Sequence, residues 1–322
     1  MHYFFTFLIL LSFSTFARMQ QPEEASHKTL FANQAYKIKK DGSYKVIDER
    51  EIEILNETGR KDFGFIKINY NPSTSDVVIL EAYTLNGSKK SQVSNSLIED
   101  KAIASQVTGF DNTNQIAITF PEVQIGSKIH LKYSFERKIP SLKNFFNTSE
   151  FFGWKENLQN ETITIESELE LHHYLYDLKK IINVETNKKN DLYLMKITLK
   201  QPIFVKPVEE KNPYMQRTST PYIEISSAQN WNYEILKSII EDNEKILSES
   251  TPEKLNSILQ QAKKIKGFIP QVNYLIENLQ NSVRYFGDWR TIKGALVPRN
   301  LKVIMSTGFG DCKDYSALLT HL

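Results

Sequence analysis

Between about Ala25 and Val205 apolar and polar positions alternate in short stretches, and clusters of Asn, Gly, Ser and Lys separate those stretches. Gln115-Ile116-Ala117-Ile118-Thr119-Phe120 alternates. So does Ile129-His130-Leu131-Lys132-Tyr133-Ser134-Phe135, with Ile, Leu, Tyr and Phe on one face. Glu161-Thr162-Ile163-Thr164-Ile165-Glu166 and the run from Leu192 to Leu199 repeat the pattern. The run from Asp76 to Leu85 is rich in β-branched residues and ends at the turn Asn86-Gly87-Ser88. Strand side chains point alternately to opposite faces, so a period of two means one buried face and one wet face. Such strands, punctuated by turn residues, predict an antiparallel β-sandwich over residues 25–205. No segment repeats at a fixed period.

The texture changes near Gln201. Pro202, Pro207, Pro213 and Pro221, with the charged run Glu209-Glu210-Lys211, deny the backbone donors that a sheet needs, so residues 206–221 read as a linker. Beyond it the spacing is helical. Trp231, Ile235, Ile239 and Ile240 share a face that Ile246 and Leu247 continue. Thr251-Pro252 reads as an N-cap followed by a first-turn proline. Leu255, Ile258, Leu259, Ala262 and Ile265 form the stripe of that helix, and Gly267 is its expected stop. Val272, Leu275, Ile276, Leu279 and Val283 predict a third helix. A loop from Tyr285 to Thr307 then leads to a last one. The whole chain is therefore expected to be α+β.

Composition narrows the classes. The chain has 322 residues, enough for two cores, and 40 Lys+Arg against 38 Asp+Glu leave a net charge of +2. No basic patch interleaved with aromatics stands out, so nucleic acid is not an expected partner. The N-terminus is apolar from Tyr3 to Phe16, interrupted only by Thr6, Ser12, Ser14 and Thr15, and the small residue Ala17 follows. That run is short for a bilayer span and fits the hydrophobic region of a signal peptide over residues 1–17. The expectation is export to the periplasm or cell envelope, with no stable membrane span after cleavage.

An exported chain with a single cysteine forms no internal disulfide, and its thiol stands out as reactive or intermolecular. That residue is Cys312, in Gly308-Phe309-Gly310-Asp311-Cys312-Lys313-Asp314-Tyr315-Ser316, where a helical pattern begins. A thiol at a helix N-terminus meets the positive end of the dipole and unpaired N–H groups, which favour the nucleophilic thiolate. Gly308-x-Gly310 is no phosphate loop, because the Gly-Lys-Ser/Thr ending is missing.

Ser282-Val283-Arg284-Tyr285, Pro298 and Gly308-Phe309-Gly310-Asp311-Cys312-Lys313-Asp314 resemble the start of a bacterial transglutaminase-like core, a member of the papain-like thiol superfamily. Phe120-Pro121-Glu122-Val123-Gln124-Ile125-Gly126-Ser127 resembles the β-sandwich domain of unknown function that precedes such cores in exported bacterial proteins. Pro221-Tyr222-Ile223-Glu224-Ile225-Ser226-Ser227 resembles its junction with the core. The resemblance implies a β-sandwich domain followed by the mainly helical, incomplete N-terminal part of a papain-like core over residues 222–322. It implies a Cys–His–Asp mechanism: Cys312 attacks an amide carbonyl, its own backbone N–H is one oxyanion donor, and Tyr285 and Trp289 are candidate second donors. Protein or peptide amides, cell-wall peptides among them, are the implied substrates, by hydrolysis or acyl transfer, with no cofactor and no metal.

In that family the His and Asp follow the Cys on later strands, and this sequence carries neither after Cys312 in a usable place. His321, nine residues along the same helix, falls roughly 13.5 Å away and half a turn round. The expectation is thus a truncated thiol enzyme, inactive as the chain stands. The rival expectation is a non-catalytic β-sandwich binding module with a degenerate tail that exposes Ala317, Leu318 and Leu319. His27, His130, His172 and His173 are expected to be surface or core residues, Asp314 to complement the helix dipole, and Lys313 to face solvent.

Overall fold

The computed structural model of the protein describes residues 25–103, 109–154, 156–205, 220–230, 234–290 and 296–322. The signal-peptide segment, most of the proline-rich stretch and Trp231 lie outside the described residues. The chain is a sheet-rich α+β protein in which most strand pairs are antiparallel.

The strands of the first part are, in order, β1 His27–Ile38, β2 Tyr44–Ile54, β3 Phe65–Tyr70, β4 Ser75–Asn86, β5 Lys89–Gln92, β6 Ile98–Ala102, β7 Gly109–Phe110 and β8 Asn114–Thr119. There follow β9 Lys128–Arg137, β10 Asn147–Phe151, β11 Asn157–Leu158, β12 Glu161–Ser167, β13 His172–Tyr176, β14 Ile182–Lys189, β15 Leu192–Leu199, β16 Ile203–Phe204 and β17 Tyr222–Ser226. A ten-stranded sheet runs β14-β15-β12-β1-β2-β9-β4-β5, with β11 also paired to β1 and β16 paired to β11. Two three-stranded sheets, β3-β8-β6 and β10-β17-β13, complete this part.

Each small sheet shares a separate apolar core with the large one. Ile223, Ile225 and Phe146 pack with Ile163, Ile165, Ile197 and Tyr36 in one core. Ile116 and Ile118 pack with Ile52, Ile54, Ile129 and Leu131 in the other. The period-two strands supply these residues as expected: β12 buries every second side chain from Glu161 to Ser167. The hairpin at Asn86-Gly87-Ser88 also forms, joining β4 to β5 with Gly87 at φ 60°.

The structure departs from the sequence reading in four places here. The β1–β12 and β1–β11 pairs are parallel, not antiparallel, because long excursions rather than hairpins separate these strands. A short helix, α1 Glu57–Phe63, interrupts the β region; Asn56 caps it, its side chain accepting from the Gly59 N–H at 3.1 Å. Strand β8 buries Ile116, Ala117 and Ile118 in succession, so its outer face is not simply wet. Residues 222–226, expected to open the helical core, instead form the central strand β17 between β10 and β13.

The rest is mainly helical: α2 Leu236–Leu247, α3 Glu253–Ala262, α4 Phe268–Ser282, α5 Leu301–Thr307 and α6 Cys312–His321. Two-residue strands β18 Arg284–Tyr285, β19 Gly287–Asp288 and β20 Phe309–Gly310 lie between them. Ile246, Leu255, Leu279, Val283, Leu301, Ile304, Ala317 and Leu318 form its core. Ala317 and Leu318 are therefore buried and only Leu319 is exposed, against the expected exposure of all three.

Helix limits also move. Pro252 stands at the cap position of α3 and the Thr251 hydroxyl is engaged with His321 Nε2 at 2.9 Å, so Thr251 does not cap the helix. Gly267, at φ 97°, starts α4 rather than stopping α3, which ends at Ala262. The expected loop from Tyr285 to Thr307 contains the end of β18, β19 and all of α5. On α2 and α4 the predicted apolar faces are only partly used: Ile246 and Leu279 are buried, whereas Ile240 and Ile276 are exposed.

Candidate functional site

Cys312 is the first residue of α6 and is exposed. The turn that places it is built from glycines. Gly308 ends α5 in the left-handed region at φ 68°, its N–H donating to the Ile304 carbonyl, a closure that glycine makes without strain. Gly310 has no room for a side chain, because a Cβ there would stand 2.7 Å from the Asp314 Cβ. Strand β18 runs parallel to β20, with Tyr285 opposite Gly310, and fixes the approach to the cysteine.

Asp311 caps the helix. Its Oδ1 accepts from the Lys313 N–H at 3.0 Å and the Asp314 N–H at 3.4 Å, and its Oδ2 accepts from Lys313 Nζ and from Trp289 Nε1, the latter at 3.2 Å. Burial opposes ionisation of Asp311, but the Lys313 ammonium and the two backbone donors outweigh it and hold the carboxyl below its ordinary range. The first-turn N–H groups of Lys313 and Asp314 are thus already bonded, and the Lys313 ammonium turns back onto the cap rather than out to solvent. The Trp289 N–H points at the same carboxylate, one residue from the thiol.

Asp314 lies in the first turn as expected, but it is 3% exposed and does more than complement the dipole. Arg299 Nε and Nη2 donate to its Oδ2 at 2.9 and 2.7 Å, and the Arg299 backbone N–H donates to Oδ1 at 2.9 Å. Arg299 Nη2 also donates to the Phe309 carbonyl at 2.5 Å. This two-point pairing ties the segment after Pro298 to the cysteine helix. The residue pattern did not single out Arg299; the Pro298 that precedes it was the only mark nearby.

Beside the thiol is an open cleft of about 330 Å³ lined by Asn243, Leu247, Leu296, Pro298, Cys312 and Ser316, among others. Tyr285 is exposed on β18, with its ring centroid 6.1 Å from that of Tyr315. His321 sits at the far end of α6, where Nδ1 meets the Leu247 carbonyl at 3.0 Å and Nε2 meets Thr251. The structure therefore brings together Cys312, Asp311, Lys313 and Trp289 and leaves His321 apart.

The sheet part reaches this site directly. Strand β7 pairs with β19, so Gly109 lies opposite Gly287 and Phe110 opposite Asp288. Phe110 packs edge-on against Phe286 and Phe309 at 4.8 and 5.6 Å, and the Arg290 guanidinium lies 4.9 Å from its ring centre. A Cβ at Gly109 or Gly287 would stand 2.4 or 2.2 Å from the Trp289 ring, so glycine is what lets the indole lie across both strands.

The other histidines lie in the sheet part. His27 is buried against Phe63, and burial pushes it down to about 4. His130 is buried and stacked on Tyr83 at 4.5 Å, and burial lowers it too. His172 and His173 are on β13. No helix among the described residues is long and apolar enough to cross a membrane.

Residues 40–197 match a domain of unknown function with a solved structure, DUF3857. Among solved structures, a candidate protease from Parabacteroides distasonis is similar over 92% of this chain, with a TM-score of 0.72 and 17% identity. The chain spans 58% of that protein's length, and the likeness is one of fold. An M1 zinc metallopeptidase from Deinococcus radiodurans bound to a Tyr-Ser-Ala substrate matches 62% of this chain and 42% of its own, at 10% identity and a TM-score of 0.33, too low to carry an argument. No curated protein matches.

Proposed function

We propose that the chain is an exported protein in which a β-sandwich domain precedes the first part of a transglutaminase-like thiol core, and that Cys312 is its nucleophile. The domain limits proposed are a signal peptide over 1–17, a sandwich over 25–205, a linker over 206–221 and a core over 222–322, with β17 contributed back to the sandwich. The observation that carries the reading is the placement of the single cysteine. It is exposed, it opens a helix, and it borders an open cleft of about 330 Å³. A fold shared with a candidate protease supports a protein or peptide substrate.

In this mechanism the thiolate adds to an amide carbonyl carbon, and the amine leaves with a proton to give a thioester. Water or a second amine then releases the acyl group, which makes the reaction hydrolysis or acyl transfer. In this reading the Cys312 backbone N–H receives the oxyanion and the exposed Tyr285 is the second donor. Trp289 serves the site through Asp311, steadying the cap from which Cys312 projects. Proton transfer in this mechanism belongs to a histidine oriented by an aspartate; His321, bonded to Leu247 and Thr251 at the far end of α6, is not placed for that role.

The test is alkylation by iodoacetamide as a function of pH, which reports one site because the chain has one cysteine. The expected result is a rate that exceeds that of a free thiol and an apparent thiol pKa well below about 8.5. A pH profile like that of free cysteine would count against a nucleophile.

A further inference from the structure

The ten-stranded sheet encloses a histidine on the face turned away from its apolar cores. On β9, Ile129 and Leu131 face a core, and His130 between them points the other way. His130 is nevertheless only 5% exposed, and neither ring nitrogen has a hydrogen-bond partner among the described residues. Its ring lies nearly parallel to that of Tyr83 on β4, 4.5 Å away, with the Phe31 ring of β1 edge-on at 6.1 Å. Three carboxylates stand around it. Glu49 and Glu81 lie 3.6 and 4.0 Å from Nε2, and Glu51 lies 3.9 Å from Nδ1, each too far for a hydrogen bond.

Two β-bulges assemble this cluster. On β4, Ile79 pairs with Tyr133 and Glu81 with Lys132, so Leu80 is an extra residue in the strand. Alternation carried on from Val77 and Ile79 would turn Glu81 and Tyr83 to the core; the bulge re-aims both at His130. On β1, Thr29 pairs with Ile52 and Phe31 with Glu51, and the extra Leu30 re-aims Phe31 in the same way.

A neutral imidazole has one N–H and one lone pair. Whichever nitrogen holds the proton, the other meets a carboxylate oxygen within 4.0 Å and no donor bonds it. Leaving both nitrogens unbonded in a buried place costs free energy. A second proton reverses the position: both nitrogens then donate, and each has a carboxylate on its own side. We propose that His130 is a proton-operated switch, in which Glu49, Glu51 and Glu81 close on the charged ring and tie β2, β9 and β4 together. The proton comes from solvent and adds to the free lone pair, with no covalent bond broken. Glu81 closes through the bulge at Leu80, where the spare residue lets β4 adjust without shifting its ladder.

Burial lowers the affinity of the ring for a proton, the three glutamates raise it and Lys90 lowers it again; the balance lies below the ordinary 6.5. His130 is thus an uncharged ring at neutral pH and charges only in acid. The unfolded chain takes this proton first, so stability falls as pH drops below 6.5 and levels once the folded ring is charged. The charged and titratable groups around the ring are Glu49 and Glu51 on β2, Glu81 and Tyr83 on β4, Lys90 on β5, and Lys128 and Lys132 on β9 itself. Lys132 holds the other oxygen of Glu49 at 3.1 Å, and Lys90 lies 3.6 Å from the Tyr83 ring centre.

The switch uses no residue of the Cys312 site. The experiment is an NMR titration of the full chain, isotope-labelled in its histidine rings and backbone amides, from about pH 7.5 to about pH 4. His130→Phe keeps a ring against Tyr83 and identifies the His130 signal by its loss; His130→Gln serves if that protein does not fold. The expected result is a His130 midpoint below 6.5, with the Leu80 and Glu81 amides shifting at the same midpoint. Glu51→Gln should make the ring need about tenfold more acid to charge, and the more exposed Glu81→Gln several-fold more. The proposal is overturned by a midpoint at 6.5, or by a ring that stays neutral until the chain unfolds. Leu80 and Glu81 amides that do not follow the ring, or an unchanged midpoint in both glutamine variants, would overturn it equally.

Discussion

Glu161 keeps its proton in the folded chain at a pH where the unfolded chain has lost it. Its carboxyl moves from an ordinary 4.5 to about 8, mainly through burial. Between those values the folded state binds more protons, so stability falls as pH rises, by up to about 1.4 kcal/mol per unit, and levels off above about 8. His27 has the opposite slope: lowered from 6.5 to about 4, it stays neutral when the unfolded chain protonates, so stability falls as pH falls through that window. The two oppose each other at mildly acidic pH, and from 6.5 to about 8 Glu161 acts alone of the pair. Urea midpoints should therefore decline between those two values in the wild type and stay level in Glu161→Gln. Parallel declines in both proteins would show that Glu161 ionises normally. A second residue-scale prediction concerns Arg299. Arg299→Ala leaves the buried Asp314 carboxylate without its partner, and should cost about 3 kcal/mol in chemical denaturation. Arg299→Lys should recover only part, because an ammonium cannot reproduce the planar two-point bond.

The elements around the cysteine are short, and their ends decide more than their interiors do. Helix α5 has seven residues and is closed by Gly308 in the left-handed region. A Cβ there meets nothing nearer than the Ser282 carbonyl at 3.7 Å, so Gly308→Ala should lower stability by only about 1 kcal/mol, the cost of the backbone conformation itself. At Gly310 the backbone is unremarkable but the space is filled by Asp314, so Gly310→Ala should displace that side chain and disturb the Arg299 pair. Paired thermal melts should show the larger drop in Tm for Gly310→Ala. The reverse order would mean that the turn, not the packing against Asp314, sets the entry to α6.

At the scale of the molecule, the sheet part and the helical part meet where β7 pairs with β19 and Phe110 packs on Phe286 and Phe309. Strand β7 lies against β19, and the Trp289 backbone N–H donates to the Phe110 carbonyl at 2.8 Å. A side chain at 109 would meet the indole and the Gly287 carbonyl. Gly109→Val should therefore part the two strands and release Trp289 from its place over them. Hydrogen exchange should quicken across 284–290 while β1 and β2 keep their protection. Uniform loss of protection would instead mean that the contact holds the whole fold together.

Much of this architecture was legible in the residues. Alternation placed β9, β12 and β15 and told which face of β12 and β15 is buried, because a pleated strand leaves a side chain no third direction. In β9 both faces are covered, since His130 and Ser134 are buried opposite Ile129 and Leu131. The same alternation put Glu161 in the buried row, although its polar neighbours hid the meaning of that position. Gly308, Asp311 and Cys312 marked the start of α6 by local chemistry alone: a left-handed closure and a side-chain cap are settled within a few residues of chain. The tertiary structure decided what depends on distant partners. The parallel β1–β12 pair, the insertion of β17 between β10 and β13, the Arg299–Asp314 bond and the β7–β19 crossing join segments that are remote in sequence, or depend on side chains that carry no periodic signal. Periodicity reports only which face is dry. Which strand or side chain covers that face is chosen by packing in three dimensions, where burial, charge and space are settled together.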